Sequence, residues 1–317
     1  MVSSAFLRAN NPTISRSGNR LVYEERQSSP AKIWRQDLNS ADSKTASPAS
    51  ITGSARSESS PQISPDAKRL AVASFRTGTM EIWLSDPDGV NALQLTNRNL
   101  GELAVPRWSF DGTRIVFRSA GDKSPGIYVV DVATRAARKL ETDHAEDGFP
   151  NWSGDGRWIY LSSTRTGSPQ IWKVPADGGK AVQVTQDGGE ESQVSPDGRF
   201  LYFTRAKGLS WTYRESSLWK VPVEGGPETL VMETIHSGYW CLTQNGMCYL
   251  DTTGREDLPF PIEFLDFGSG KKRMLTQLRV EPQWNLTSIS ASRDGRWLVF
   301  PDRERMQRDL ILVENFR

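Results

Sequence analysis

A four-residue motif returns seven times along this chain: a Ser or Thr, two residues, then a small turn residue, each time followed by a β-rich run. The copies are Ser15 to Gly18, Ser64 to Ala67, Ser109 to Gly112, Ser153 to Gly156, Ser195 to Gly198, Thr243 to Gly246 and Ser292 to Gly295. Their turn positions lie 49, 45, 44, 42, 48 and 49 residues apart, near the ~40–50-residue period of a four-stranded propeller blade. A unit this short cannot bury its apolar side chains alone and must stack on neighbours. Repetition therefore constrains the fold more than any single motif does.

Within a unit, strands follow from pattern. In the third, Pro106 to Ser109 reads as strand a, Phe110-Asp111-Gly112 as a tight turn, Arg114 to Ser119 as strand b, Gly126 to Asp131 as strand c and Ala137 to Leu140 as strand d. The fourth repeats these slots, with Trp158 to Ser162 as strand b, Gln170 to Val174 as strand c and Ala181 to Thr185 as strand d. Strand c carries an aromatic in nearly every unit (Trp34, Trp83, Tyr128, Trp172, Trp219, Phe264), as expected of residues packing one blade on the next. No helical period of useful length appears. The expectation is an all-β, seven-bladed β-propeller of four-stranded blades, one domain over residues 1–317. Because the seventh unit runs out at its strand c, the N-terminal segment Ser3 to Arg8 is expected to supply the outer strand of the last blade and close the ring. The Ser/Ala-rich stretch from Asn39 to Ser60 hides an ordered strand d, since Ser50-Ile51-Thr52 falls in the slot of Gln94-Leu95-Thr96.

Composition excludes several classes. Hydrophobic residues at 37%, with eleven Trp, can fill a core. Thirty-nine basic against 38 acidic residues leave a net charge of +1, so no global field favours nucleic acid, and none is expected to bind this chain directly. No apolar run reaches the ~18 residues of a membrane helix, and Met1 to Asn11 does not read as a signal peptide. The sequence as it stands reads as cytoplasmic, or as periplasmic if it is part of a membrane-anchored regulator. Two cysteines and two histidines provide no metal-ligand spacing, and neither a metal nor a cofactor is expected. Cys241 and Cys248 flank an Asn-Gly turn that would set the two sulfurs on a diagonal, as buried free thiols.

The motifs Ser64-Pro65-Asp66, Trp108-Ser109-Phe110-Asp111-Gly112 and Ser195-Pro196-Asp197-Gly198-Arg199, with the recurring Ile-Trp and Leu-Thr pairs, resemble the WD-like repeat of TolB-type β-propellers over nearly the whole chain. More narrowly, Gln170 to Pro175 with Gly178-Gly179, and the ending Asp309 to Arg317, resemble the C-terminal propeller of bacterial regulators that carry an N-terminal winged helix, which is absent here. The resemblance implies a binding or sensing module for a protein or peptide. A scaffold of a TolB-like envelope assembly and a carbohydrate-binding or hydrolytic propeller are the alternatives.

No Gly-x-Ser-x-Gly elbow accompanies the propeller, and His144 and His236 both fall in segments joining blades, where solvation is commoner than catalysis. No catalytic residue is assigned. The candidate binding residues come from strand order, which sends the d-to-a and b-to-c loops to one face and the short a-to-b and c-to-d turns to the other. The first face carries Glu58, Glu102, Glu146, Asp147, Glu190 and Glu191 near the axis, basic residues such as Arg76 and Arg165 further out, and the off-pattern Trp211 and Trp284. An acidic mouth with a basic rim and two aromatic anchors is the expected site.

Overall fold

The computed structural model describes residues 9–16, 19–28, 30–38, 47–97, 101, 103–120, 124–142, 147–207, 215–254, 259–278, 288–303 and 306–314. Every regular element among them is a strand. The first repeat supplies β1 (Ala9–Ile14), β2 (Arg20–Ser28), β3 (Lys32–Asp37) and β4 (Ala49–Ser50). The second contains β5 (Glu58–Ile63), β6 (Leu70–Ser74), β7 (Glu81–Ser85) and β8 (Leu93–Gln94), the third β9 (Leu103–Trp108), β10 (Arg114–Ser119), β11 (Gly126–Asp131) and β12 (Ala137–Lys139). Next come β13 (Gly148–Trp152), β14 (Trp158–Ser163), β15 (Gln170–Pro175) and β16 (Val182–Gln183), then β17 (Ser192–Val194), β18 (Phe200–Ala206), β19 (Glu215–Pro222) and β20 (Thr229–His236). The sixth repeat holds β21 (Trp240–Thr243), β22 (Gly246–Leu250), β23 (Phe260–Asp266) and β24 (Lys272–Leu278), and the last β25 (Ser290–Ala291), β26 (Trp297–Asp302) and β27 (Met306–Glu314).

The chain is an all-β propeller, and its seven sheets match its seven repeats. Repeats two to six each make one antiparallel four-stranded sheet in sequence order. The first and last repeats exchange strands: β25 and β26 take β3 and β4 as their outer pair, while β1 and β2 take β27 to make a three-stranded sheet. The closing contact is thus supplied by β3 and β4, with β26 pairing β3 from Trp297↔Asp37 to Asp302↔Lys32. Ser3 to Arg8, expected to close the ring, lie outside the described residues. The exchange serves the same physical end, because joining strands from opposite chain ends removes two open sheet edges.

The inner strands follow one another around the axis: β5 packs on β9, β9 on β13, β13 on β17, β21 on β25 and β25 back on β5. Between β17 and β21, Gln193 Nε2 donates to Trp240 O (3.0 Å) and Gln193 Oε1 accepts from Leu242 N–H (3.1 Å). The six four-stranded sheets thereby surround a central channel. Indole N–H groups latch neighbouring inner strands, Trp108 Nε1 donating to Gln62 O and Trp152 Nε1 to Arg107 O, each at 3.1 Å. Apolar clusters fill the wedges between sheets, and the strand-c aromatics Trp34, Trp83, Tyr128, Trp172, Trp219 and Phe264 each belong to one of these clusters.

The recurring motifs have local explanations. In the turns, the Ser hydroxyl donates to the Asp carboxylate two residues on (2.6 Å from Ser64 to Asp66, from Ser153 to Asp155, from Ser195 to Asp197 and from Ser292 to Asp294). That carboxylate also accepts a backbone N–H two residues later, as from Arg157 at 3.0 Å, so the Asp satisfies its own turn. The fourth position then needs a left-handed φ, +71° at Gly112 and +73° at Gly198, and even Ala67 adopts +57°. In three repeats the Thr that ends the strand-d slot, in Ile51-Thr52, Leu95-Thr96 and Val184-Thr185, caps the start of strand c: Thr52, Thr96 and Thr185 accept from Ile33, Ile82 and Ile171 N–H at 3.0, 2.9 and 2.9 Å. Ser50-Ile51-Thr52 is thereby ordered, with Ile51 N–H on Ile33 O.

Two local expectations are corrected. Cys241 and Cys248 sit directly opposite each other, because the hairpin loop is Gln244-Asn245 rather than Asn245-Gly246. Gly246 belongs to β22, where a Cβ would lie 2.1 Å from Leu265 O; close approach of β23, not turn dihedrals, requires the glycine. His236 ends β20 and is buried, with Nδ1 hydrogen-bonded to Ser237 O at 2.6 Å and its ring edge-on to Tyr239. His144 lies outside the described residues.

Candidate functional site

On the loop face, Asp147 is wholly buried at the start of the β13 blade and Arg165 reaches it with Nη2, at 2.9 Å from one carboxylate oxygen and 3.2 Å from the other. The guanidinium also donates to Ser163 Oγ (2.9 Å) and Thr142 O (3.0 Å) and lies 4.7 Å from the Trp172 ring centroid. The second repeat builds the same group: buried Glu58 pairs with Arg76, which donates to Ser74 Oγ and stacks on Trp83 at 4.5 Å. The carboxylate of strand a and the arginine of the b-to-c loop, expected as separate mouth and rim charges, are in these two blades a single internal clamp. Desolvation drives the pairing, since a charge held away from water needs a partner and an aromatic face supplies a further electrostatic contact.

Glu191 is the candidate acid that faces the channel. Its Oε2 accepts from Gly238 N–H (2.7 Å) and Trp240 Nε1–H (3.1 Å), and burial raises its pKa against the lowering by these bonds and by Arg107. Glu190 N–H donates to Thr204 O at 2.9 Å at the entrance to the β17 blade. Glu102, Glu146, Trp211 and Trp284 lie outside the described residues.

Three hollows open on the short-turn face. A cleft of about 820 Å³ runs between the β5 and β9 blades, walled by Pro65, Leu93, Phe110 and Val132 with Asp66, Asp111, Arg69 and Arg135 among them. A second, of about 560 Å³, runs between the β13 and β17 blades, along Asp155, Trp158, Lys173 and Asp197. Between them the channel opens into a hollow of about 130 Å³ that reaches Gln62, Arg107, Asn151 and Gln193. Phe110 borders all three. Arg293 stacks on it at 4.5 Å across the mouth, from a blade that is not its neighbour in the ring.

The turn carboxylates of this face are held ionised. The Ser195 hydroxyl and then the Arg199 amide and guanidinium bring Asp197 down to about 2. Burial alone would raise Asp155, yet the hydrogen bonds from Ser153 and Arg157 outweigh it and leave that group at about 2 as well. Within the channel, burial lowers Arg107 to about 10, the charges of Glu191 and Cys241 opposing the shift. Phe110, Arg293 and Arg107 were not among the residues singled out from sequence. A signal existed: the second position of the motif reads Arg16, Pro65, Phe110, Gly154, Pro196, Gln244 and Arg293, and Phe110 is its one aromatic, while Arg293 is the one cation among the six copies whose sheets surround the channel.

A family model described as the TolB beta propeller domain, PD40, matches residues 19–255. This chain belongs to the TolB β-propeller family. Among curated proteins it is 32% identical to an uncharacterized protein of Agrobacterium fabrum, over 39% of this chain and 42% of that one. It is 31% identical to the Tol-Pal system protein TolB of Bordetella pertussis, over 36% of each chain. The matches thus span less than half the length of these relatives. Among solved structures, TolB from Acinetobacter baumannii superimposes with a TM-score of 0.58 at 18% identity, covering 92% of this chain and 66% of that one. A putative TolB from Agrobacterium tumefaciens gives 0.53 at 21% identity, covering 94% and 90%. An oligogalacturonate lyase in complex with manganese gives 0.52 at 12% identity over 98% of this chain and 97% of that one, a likeness of fold alone. Among the described residues no group of three or more His, Cys, Asp or Glu is placed to hold a metal ion.

Proposed function

We propose that this chain is a non-catalytic, protein-binding propeller of a TolB-like assembly in the bacterial envelope, and that its short-turn mouth is the docking surface. The observation that carries the reading is the convergence of three hollows on Phe110, a half-buried aromatic held at the channel mouth by a turn that is itself hydrogen-bonded. Rigid turns spare a partner the cost of ordering the site, and an aromatic at the centre of a mixed polar and apolar patch is the usual anchor of a protein interface. The Bordetella pertussis relative, a Tol-Pal system protein, supports the choice of assembly. A regulator role for Gln170 to Pro175 and the C-terminal ending gains no support from the relatives named above.

The test is capture of Tol-Pal system components from the same genome by the purified chain, comparing Phe110→Ala with Trp284→Ala, the aromatic anchor expected from the sequence. Loss of about 2 kcal/mol, roughly thirtyfold in Kd, from Phe110→Ala alone supports the reading. Loss from Trp284→Ala alone would move the site away from the short-turn mouth, and no capture at all would remove the protein-binding reading.

A further inference from the structure

Arginine keeps its charge in folded proteins, and a guanidinium taken out of water is costly unless a carboxylate meets it. Three largely buried arginines of this ring obey that rule: Arg76 pairs with Glu58, Arg165 with Asp147 and Arg205 with Glu228. Arg107 does not. It projects from β9 into the channel, and among the described residues its Nη1 donates only to Pro106 O and to Ser288 Oγ across the ring, each at 3.2 Å, with no carboxylate at ion-pair distance. Glu191 acts on it only from beyond ion-pair distance, with Oε2 already taken by Gly238 and Trp240.

The hollow beside Arg107 opens at the mouth where Arg293 stacks on Phe110, and Arg293 forms no ion pair with any described residue. Its amide walls differ in state. Asn151 and Gln193 are fixed, donating to Ser192 O (2.8 Å) and Trp240 O (3.0 Å), whereas the Gln62 side chain makes no hydrogen bond within the described protein. Among the described residues no carboxylate lines this hollow. Two cations and an unused amide therefore converge on a space of about 130 Å³, room enough for a carboxylate head.

We infer that this hollow is a carboxylate-binding site, in which Arg107 and Arg293 receive a Glu or Asp side chain from an extended acidic segment of the partner. The apolar flank of Leu242 and Ala291 suits the aliphatic stem of such a side chain, and the guanidinium fork suits its head. The inference rests on the protein-binding reading above and names the chemistry of the partner.

Hexaglutamate is the probe, with hexaglutamine as the uncharged control, titrated by calorimetry into the full chain and its Arg107→Gln and Arg293→Gln variants. The expected result is saturable binding of hexaglutamate with Kd below about 1 mM at low salt, weakening as salt screens the charges, and at least about fivefold weaker in either variant. Arg293 is exposed, so its variant keeps the result interpretable should Arg107→Gln fail to fold. Equal binding of the two peptides, or hexaglutamate binding that Arg293→Gln leaves unchanged, overturns the inference. Capture of Tol-Pal components is scored in parallel. Capture without hexaglutamate binding removes the acidic site and leaves the protein-binding reading; hexaglutamate binding without capture does the reverse.

Discussion

Replacing Arg165 tests whether the buried clamps hold the blades. Asp147 is fully buried and receives both of its Arg165 contacts from Nη2, while the same guanidinium ties Ser163 Oγ and Thr142 O and covers Trp172. Removing one partner of a buried pair costs about 3–5 kcal/mol, because the remaining charge is stranded away from water. Asp147 keeps a further interaction, so the lower end applies. The stacking lost from Trp172 adds about 0.5–1 kcal/mol. Arg165→Ala should therefore lower stability by about 3–4 kcal/mol, a fall in Tm of roughly 6–8 °C at about 2 °C per kcal/mol for a chain of this size. The double variant Asp147→Leu with Arg165→Met should recover most of that loss, since well-packed apolar residues replace a buried pair at little cost. Thermal unfolding followed by near-ultraviolet circular dichroism, with a double-mutant cycle, gives the coupling. A single-variant effect below about 0.5 kcal/mol, or a double variant less stable than both singles, would refute the reasoning.

Gly246→Ala should cost about 2 kcal/mol or more in urea unfolding, because its Cβ would lie 2.1 Å from Leu265 O, while Gly198→Ala, at φ +73° with open space around it, should cost about 1 kcal/mol. Asp66, Asp197 and Asp294 are lowered chiefly by their Ser hydroxyls, so their stabilisation is present above the unfolded carboxylate value near 3.8 and is lost as pH falls through the lower folded values. These groups are largely solvent-exposed and each contributes under about 1 kcal/mol, so the expected acid loss is gradual, and a pH-stability curve flat from pH 4 to pH 2 would contradict it. Trp152→Phe should cost about 1–2 kcal/mol by stranding the Arg107 carbonyl, read as a shift in urea midpoint without a change in slope. Native protein should resist thiol alkylation until it unfolds: Cys241 and Cys248 are buried, and the hydrogen bond the Cys248 thiol makes to Cys241, together with burial, pushes that thiol up. Rapid native labelling would show that the hairpin opens.

What the sequence by itself determined is what local chemistry determines. The Ser-x-Asp-Gly turns, the left-handed fourth position, strands such as Arg114–Ser119 and Gly126–Asp131, and the Thr caps of strand c all rest on contacts within one repeat. Hence the period, the all-β class and most strand positions were legible before any coordinates. Tertiary structure decided matters that depend on which distant residues meet. The outer strands of the last blade came from Lys32–Asp37 and Ala49–Ser50, because the nearest unpaired edge, not the reading order, selects the partner. The hairpin register at Cys241 was set by the approach of β23 to Gly246. Charges that looked like a ligand-facing mouth and rim became the Asp147–Arg165 and Glu58–Arg76 clamps, since burial compels charges to pair. The converse case, Arg107 in the channel with no carboxylate at ion-pair distance among the described residues, could be seen only once the inner strands of six sheets had been brought around one axis.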